Sequence, residues 1–281
     1  MIGSNAPATR LQRFVQLEEC EKHLLDSFDR SSVRRPKGYQ LARVGDLADK
    51  VWVLQSGWAA LRSNCKQHGN QILRLFLPGD FIGLAEFGTK HAPHQIMMLT
   101  DGTLTEIPRK AFHREIVQLP RLSLLLFALS SLSLTAFHYQ VTRLNTMSAQ
   151  DNLKFFLLQL ISRLQSGQSD LGNRFEVPMT QVEIGQAIGL TSIYVNKLLR
   201  RFIDEGQLEI ERPYFRLKTR ERWECETAFV DAFAEIDTSW FATEFSRPIQ
   251  QNASPRANGR VYNRTDPSTC QPEGAARAIL V

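Results

Sequence analysis

Between residues 38 and 108 short β-rich runs alternate with turn signals. The runs are Val51-Trp52-Val53-Leu54, Ile72-Leu73-Arg74-Leu75-Phe76-Leu77, Ile96-Met97-Met98-Leu99 and Leu104-Thr105-Glu106-Ile107, each of strand length and rich in branched or aromatic side chains. The turns fall at Gly45-Asp46, Ser56-Gly57, Gly69-Asn70, Pro78-Gly79-Asp80 and Asp101-Gly102. This spacing predicts an antiparallel roll or barrel, with a short helix over 14–28 leading into it. After Pro120 the period changes. Leu122, Leu125, Leu129, Leu132, Ala136 and Tyr139 recur at spacings of three and four and predict one stripe of a long helix. Leu124, Leu134 and Val141 add apolar groups around it, so the helix should pack on its own roll on one side and on another surface on the other. A second helix, 149–164, carries Leu153, Phe156, Leu157, Leu160 and Ile161 inward and ends in the polar loop 165–173.

The densest signal lies in 179–217. Thr180 followed by Glu183 is a capping box, which fixes where a short helix starts. Ile184, Ala187 and Ile188 form its inner face, Gly189 occupies a sharp turn suited to positive φ, and Leu190 plugs the corner. Thr191 caps a second helix with Val195, Leu198, Leu199 and Phe202 inward, and Gly206 stops it. Small Gly185 lets the two helices approach closely. The outer face of the second helix offers Ser192, Ile193, Tyr194, Asn196, Lys197, Arg200 and Arg201, a mixture suited to base edges at its start and phosphates further along. Residues 208–210 and 214–217 form a β-wing whose Arg212 and Arg216 can reach phosphates. These residues, with Thr180, Gln181 and Thr191, are the expected DNA contacts.

Composition changes this picture little. Over 281 residues, 34 Lys and Arg against 29 Asp and Glu give +5, a mild bias toward polyanions. No stretch reads as a run of about 18 apolar residues, and no secretory signal is evident, so a cytoplasmic protein without membrane contact is expected. Cys20, Cys65, Cys225 and Cys270 are scattered and read as free thiols; no catalytic group and no metal site are expected. The Asn-x-Ser/Thr triplets at Asn252 and Asn263 are chance matches. A further helix is predicted over 221–236, and 246–281, rich in Pro, Gly, Asn, Arg and Ser, reads as a disordered tail.

In order, roll, long helix and winged helix-turn-helix, the chain resembles the Crp/Fnr family of bacterial regulators over about 14–219. Its most specific pieces are Leu77-Pro78-Gly79-Asp80-Phe81-Ile82-Gly83, Met179-Thr180-Gln181-Val182-Glu183-Ile184-Gly185, Gly189-Leu190-Thr191 and Val195-Asn196-Lys197. The resemblance implies an α+β fold: an N-terminal antiparallel β-roll like a cyclic-nucleotide-binding jelly roll (14–119), a long dimerisation helix (120–147) and a C-terminal winged helix-turn-helix (148–219), followed by a helical extension (220–245). It also implies a homodimer paired along 122–143 through Leu122, Leu125, Leu129, Leu132, Ala136 and Tyr139, binding double-stranded DNA, with RNA polymerase as partner if the chain activates.

The departures from the family bear on ligand and target. Cyclic-nucleotide-binding members hold the ribose with a Glu and the phosphate with an Arg-Ser pair; the corresponding residues look like Leu84, then His94 and Gln95. A neutral His and a Gln forfeit charge-assisted bonds worth about 1.5 to 3 kcal/mol each. Oxygen-sensing members hold an iron–sulfur cluster with several closely spaced N-terminal cysteines, where this chain has Cys20 alone. His68, His91, His94 and Met97 or Met98 could supply haem ligands and Cys65 or Cys20 could sense oxidants, but solvated or inert roles suit them better, and no cofactor is expected. At the start of the recognition helix Ser192 and Ile193 stand where familiar members carry charged base readers, so the target sequence should differ. A cyclic-nucleotide-dependent regulator with an atypical pocket stays as the alternative. An enzyme using the roll lacks any phosphate loop, His-Glu metal pattern or nucleophile elbow.

Overall fold

The computed structural model describes residues 5–65, 69–165, 173–234 and 236–241. Two helices, α1 (Ala6–Gln12) and α2 (Glu19–Arg30), precede the roll where the sequence predicted one over 14–28. The second starts afresh because the Glu21 carboxylate turns back to accept from the Glu18 backbone N–H at 2.8 Å.

The roll comprises β1 (Val33–Arg35), β2 (Gln40–Ala42), β3 (Lys50–Ser56), β4 (Ala59–Cys65), β5 (Gly69–Phe76), β6 (Phe81–Ile82), β7 (Gln95–Met98) and β8 (Gly102–Pro108). They pair antiparallel in two four-stranded sheets, β1-β8-β3-β6 and β2-β7-β4-β5. The alternation of apolar positions places Leu54, Ile82 and Leu104 of one sheet against Ala59, Phe76, Ile96 and Met98 of the other. The Pro78-Gly79-Asp80 turn joins β5 to β6, and the buried Asp80 does more than turn the chain. Its carboxylate accepts from the Leu77 N–H (2.7 Å), pairs with Arg10 of α1, and pairs at 2.9 Å with Arg163 further along the chain.

Helix α3 (Arg109–Val117) closes the roll, and α4 (Pro120–Thr146) runs for 27 residues. The stripe expected to pair two chains is turned the other way over its first half. Leu122 and Leu125 are 0% and 1% exposed, packed with Leu126 and Leu129 on α1, α2 and β3 of the same chain. Ala136 is also buried, whereas Leu132 and Tyr139 are half-buried. The roll offers the nearest apolar surface and takes the Leu122 side. The outward stripe is Phe127, Leu134, Phe137, Val141 and Leu144, 63%, 56%, 48%, 42% and 45% exposed. By length and composition alone α4 would pass for a membrane span, contrary to the sequence reading; its Leu122 side lies on the roll.

Helix α5 (Ala149–Gln165), β9 (Arg174–Glu176), α6 (Gln181–Ile188), α7 (Ser192–Asp204), β10 (Leu208–Glu211), β11 (Tyr214–Leu217) and α8 (Arg220–Glu226) follow. The wing is a three-stranded sheet, β10-β11-β9, one strand more than foreseen. Helix α8 stops ten residues short of the predicted Ile236. Ala228 turns left-handed (φ 45°), and the Phe229 N–H closes back on the Glu224 carbonyl at 2.9 Å. Beyond it the extension returns along α5, with Phe229 against Phe155 and Asp231 accepting from Ser162 at 2.5 Å. Phe233 lies under Arg163, and Ile236 and Phe241 pack on the core beneath α4. The expected disordered tail, 246–281, falls outside the described residues, as do His68 and the Cys65 side chain.

Candidate nucleic-acid interface

The helix-turn-helix forms as its residues dictate. The Thr180 hydroxyl accepts from the Glu183 N–H at 3.2 Å, and the Glu183 carboxylate accepts from the Thr180 N–H at 2.8 Å. Helix α6 ends at Gly189, whose φ of +73° is unfavourable for a side-chain-bearing residue. The chain then folds back so tightly that the Leu190 N–H bonds the Gly185 carbonyl at 3.0 Å, and a Cβ on Gly185 would sit 2.3 Å from the Leu190 carbonyl oxygen. Thr191 accepts from the Tyr194 N–H at 3.3 Å and starts α7. Val195, Leu198, Leu199 and Phe202 are buried in one core with Ile184, Ile188, Phe215 and Trp223.

That packing decides what points out. Ile193 is 82% exposed, Tyr194, Lys197, Arg200 and Arg201 are exposed, and Ser192 and Asn196 are half-buried. Gln181 of α6 donates through Nε2 to Asn196 Oδ1 at 3.3 Å and steadies it across the turn. Arg201 is engaged by Glu205 at 2.7 Å, a bond that raises its pKa, which leaves Lys197 and Arg200 as the freer cations of this face. On the wing, Arg212 donates to the Met179 carbonyl at 2.8 Å and lies over Phe215, so one edge of its guanidinium is committed inward. Arg216 lies 3.7 Å from Glu209, and Lys218 hydrogen-bonds the same carboxylate at 2.7 Å, which holds the Glu209 pKa below its ordinary range. Thr180, Gln181 and Thr191 cluster at the helix starts, where unpaired backbone N–H groups and the helix dipoles favour phosphate.

Two features escaped the sequence reading. Glu183 of the capping box also faces Arg62 of β4 at 3.8 Å, tying the reading domain to the roll; a contact 121 residues apart leaves no local signal. Arg143, near the end of α4, is buried and donates to the Asn152 carbonyl (3.2 Å), and the Asn152 side chain donates to the Ile188 carbonyl (2.9 Å), one residue before the Gly189 turn. No group of three or more His, Cys, Asp or Glu side chains that could hold a metal occurs among the described residues. Cys20 and Cys225 are exposed thiols far apart in the chain.

Comparison with known proteins matches both halves. Residues 32–118 fit the cyclic nucleotide-binding domain family, and residues 153–224 fit the Crp-like helix-turn-helix domain family. The transcriptional activator protein FnrA of Stutzerimonas stutzeri is 30% identical over 183 residues, spanning 64% of this chain and 74% of that protein. The fumarate and nitrate reduction regulatory protein of Escherichia coli strain K12 is 26% identical over 204 residues, 71% of this chain and 81% of its own. Among solved structures, FixK2 from Bradyrhizobium japonicum superposes with a TM-score of 0.62 at 19% identity, covering 69% of this chain and 95% of that one, a likeness of fold.

Proposed function

Because the chain belongs to the Crp/Fnr family of DNA-binding transcription regulators, we propose that it acts as a cytoplasmic homodimer that presents two α7 helices to an approximately palindromic operator. The observation that carries this reading is the outward face of α7. Ser192, Ile193, Asn196 and Lys197 stand at its N-terminal half on a helix whose other face is fully packed, in the position from which such helices meet base edges in a major groove. Arg200, Arg201, Arg212 and Arg216, with the helix starts at Thr180, Gln181 and Thr191, supply phosphate contacts. Tyr194 flanks the reading residues.

Pairing of two chains uses the outward stripe of α4. Phe127, Ser130, Leu134, Phe137, Val141 and Leu144 fall at alternating spacings of three and four, the a and d positions of a coiled coil, and five of the six are large exposed apolar groups. Half-buried Leu132 and Tyr139 flank that seam, while Leu122, Leu125 and Leu129 hold each helix on its own roll.

The roll is not read as a cyclic-nucleotide sensor, since Leu84, His94 and Gln95 stand where ribose and phosphate ligands would be required. Nor does Cys20 suffice for an iron–sulfur cluster. If the dimer activates transcription, RNA polymerase is its protein partner. Selection of bound duplexes from a random pool with the purified full chain tests the reading: the expected result is a two-fold symmetric site with half-site centres about 34 Å apart. Recovery of asymmetric or unrelated sequences would overturn it.

A further inference from the structure

An asparagine in a major groove reads adenine with both ends of its amide: Nδ2 donates to N7 and Oδ1 accepts from the N6 amino group. At Asn196 one of those ends is taken. Its Oδ1 accepts from Gln181 Nε2 at 3.3 Å, across 15 residues of chain, and both side chains are half-buried. The turn between them holds the two in register. The Leu190 N–H closes on the Gly185 carbonyl at 3.0 Å, Gly185 leaves no room for a Cβ, and the Asn152 side chain ties the Ile188 carbonyl at 2.9 Å. Gln181 is the first residue of α6, where the N–H groups of the opening turn lack intrahelical partners. They favour the oxygen end of its amide and leave the nitrogen end for Asn196. Asn196 is left with Nδ2, a group that only donates.

The rest of the reading face has the same polarity. Lys197 and Arg200 are exposed donors with no acceptor capacity, and the 13 residues of α7 hold one acid, Asp204, at the far end. Ile193, 82% exposed, offers apolar contact alone. Beyond the hydroxyls of Ser192 and Tyr194, Asn196 Oδ1 is the side-chain group of this half that could accept from an amino base, and Gln181 occupies it. A free amide nitrogen fits guanine, whose N7 and O6 are adjacent acceptors and which carries no donor in the major groove. We propose that Gln181 is a positioning residue for sequence choice: by engaging Asn196 Oδ1 it makes Asn196 read guanine and reject adenine. Gln181 itself touches no base. This inference deepens the reading of the chain as a DNA-binding regulator and rests on it.

Selection from a random duplex pool with the full native chain and with N196A, Q181A and Q181E tests the proposal. The position whose preference N196A flattens is the one Asn196 reads, and there the native chain should favour guanine over adenine by about tenfold. Q181A frees Oδ1 for the N6 amino group, so adenine should become the preferred base at that position while the other positions keep theirs. Q181E cannot donate; its carboxylate accepts from Asn196 Nδ2 and turns Oδ1 outward, so an amino base, adenine or cytosine, should replace guanine. Because Q181E keeps a hydrogen bond in the same place, it carries the test should Q181A melt early. A brace that merely held the two helices together would change affinity on all sequences alike and leave the choice of base as it was. Adenine preferred by the native chain, no position flattened by N196A, or an unchanged base choice in either Gln181 variant that melts like the native chain overturns the inference and leaves the DNA reading intact. A native selection without any two-fold symmetric site overturns the DNA reading and the inference with it.

Discussion

Replacing Asp80 by Asn should destabilise the protein far more than the loss of one hydrogen bond. Asp80 is 5% exposed and shares its two carboxylate oxygens between Arg10, itself 4% exposed, and Arg163 of α5. The asparagine keeps a side-chain oxygen for the Leu77 N–H, so the turn bond can survive while two buried guanidinium groups lose their common counter-ion. Removing one partner of a buried pair costs about 3 to 5 kcal/mol, which for a unit of this size lowers Tm by roughly 6 to 20 °C. The pH dependence follows from the same cluster. Burial alone would raise the Asp80 pKa, but Arg10, Arg163 and Arg74 together outweigh it and hold the carboxyl below its ordinary value. Its contribution is therefore fully present above the unfolded-state pKa of about 3.9, and is lost as pH falls through the lower folded-state value. Urea midpoints of native and D80N protein, measured at neutral pH and again in acid, give both quantities. A loss below about 1 kcal/mol at neutral pH would mean that the cluster behaves as a solvated surface pair and would refute the argument.

Three further outcomes are expected. Gly185→Ala forces a Cβ to within 2.3 Å of the Leu190 carbonyl, so the two reading helices must separate; a cost of about 1 to 3 kcal/mol in melts and a clear loss of DNA affinity should follow, and an unchanged melt would show that the turn yields freely. Lys197→Ala should relax specificity at one base of each half-site, whereas an equal loss on every sequence in a binding titration would reclassify Lys197 as a phosphate contact. Leu134→Asp, which places a charge in the middle of the outward stripe of α4, should give a folded monomer by light scattering; a dimer of native strength would place the pairing surface elsewhere.

Local rules made the reading domain legible. A capping box, a glycine at positive φ, a capping threonine and an amphipathic helix each act within a few residues, and all of them point to the same turn at Gly189. Short runs of branched and aromatic residues between turn signals likewise marked β3, β5, β7 and β8, while β1 and β2, three residues each and partly polar, were too short to register. Periodicity also found α4 and could not say which way it faced. A helix apolar around much of its circumference offers two stripes, and the choice between the Leu122 side and the Leu134 side depends on which one the roll covers. The helix predicted over 221–236 failed because its end is set by closure at Ala228 and by the docking of Phe229, Phe233 and Phe241, which rewards a chain path that no local propensity encodes.

The sequence by itself determined α4 to α7, four strands of the roll, the order of these parts and the outward residues of α7, because helix caps, turns and hydrophobic periods are short-range. Tertiary structure alone decided which residues share a charge. Asp80 with Arg10 and Arg163, and Glu183 with Arg62, are arranged by packing between segments dozens of residues apart, and the energy of a buried ion depends on what packing brings beside it.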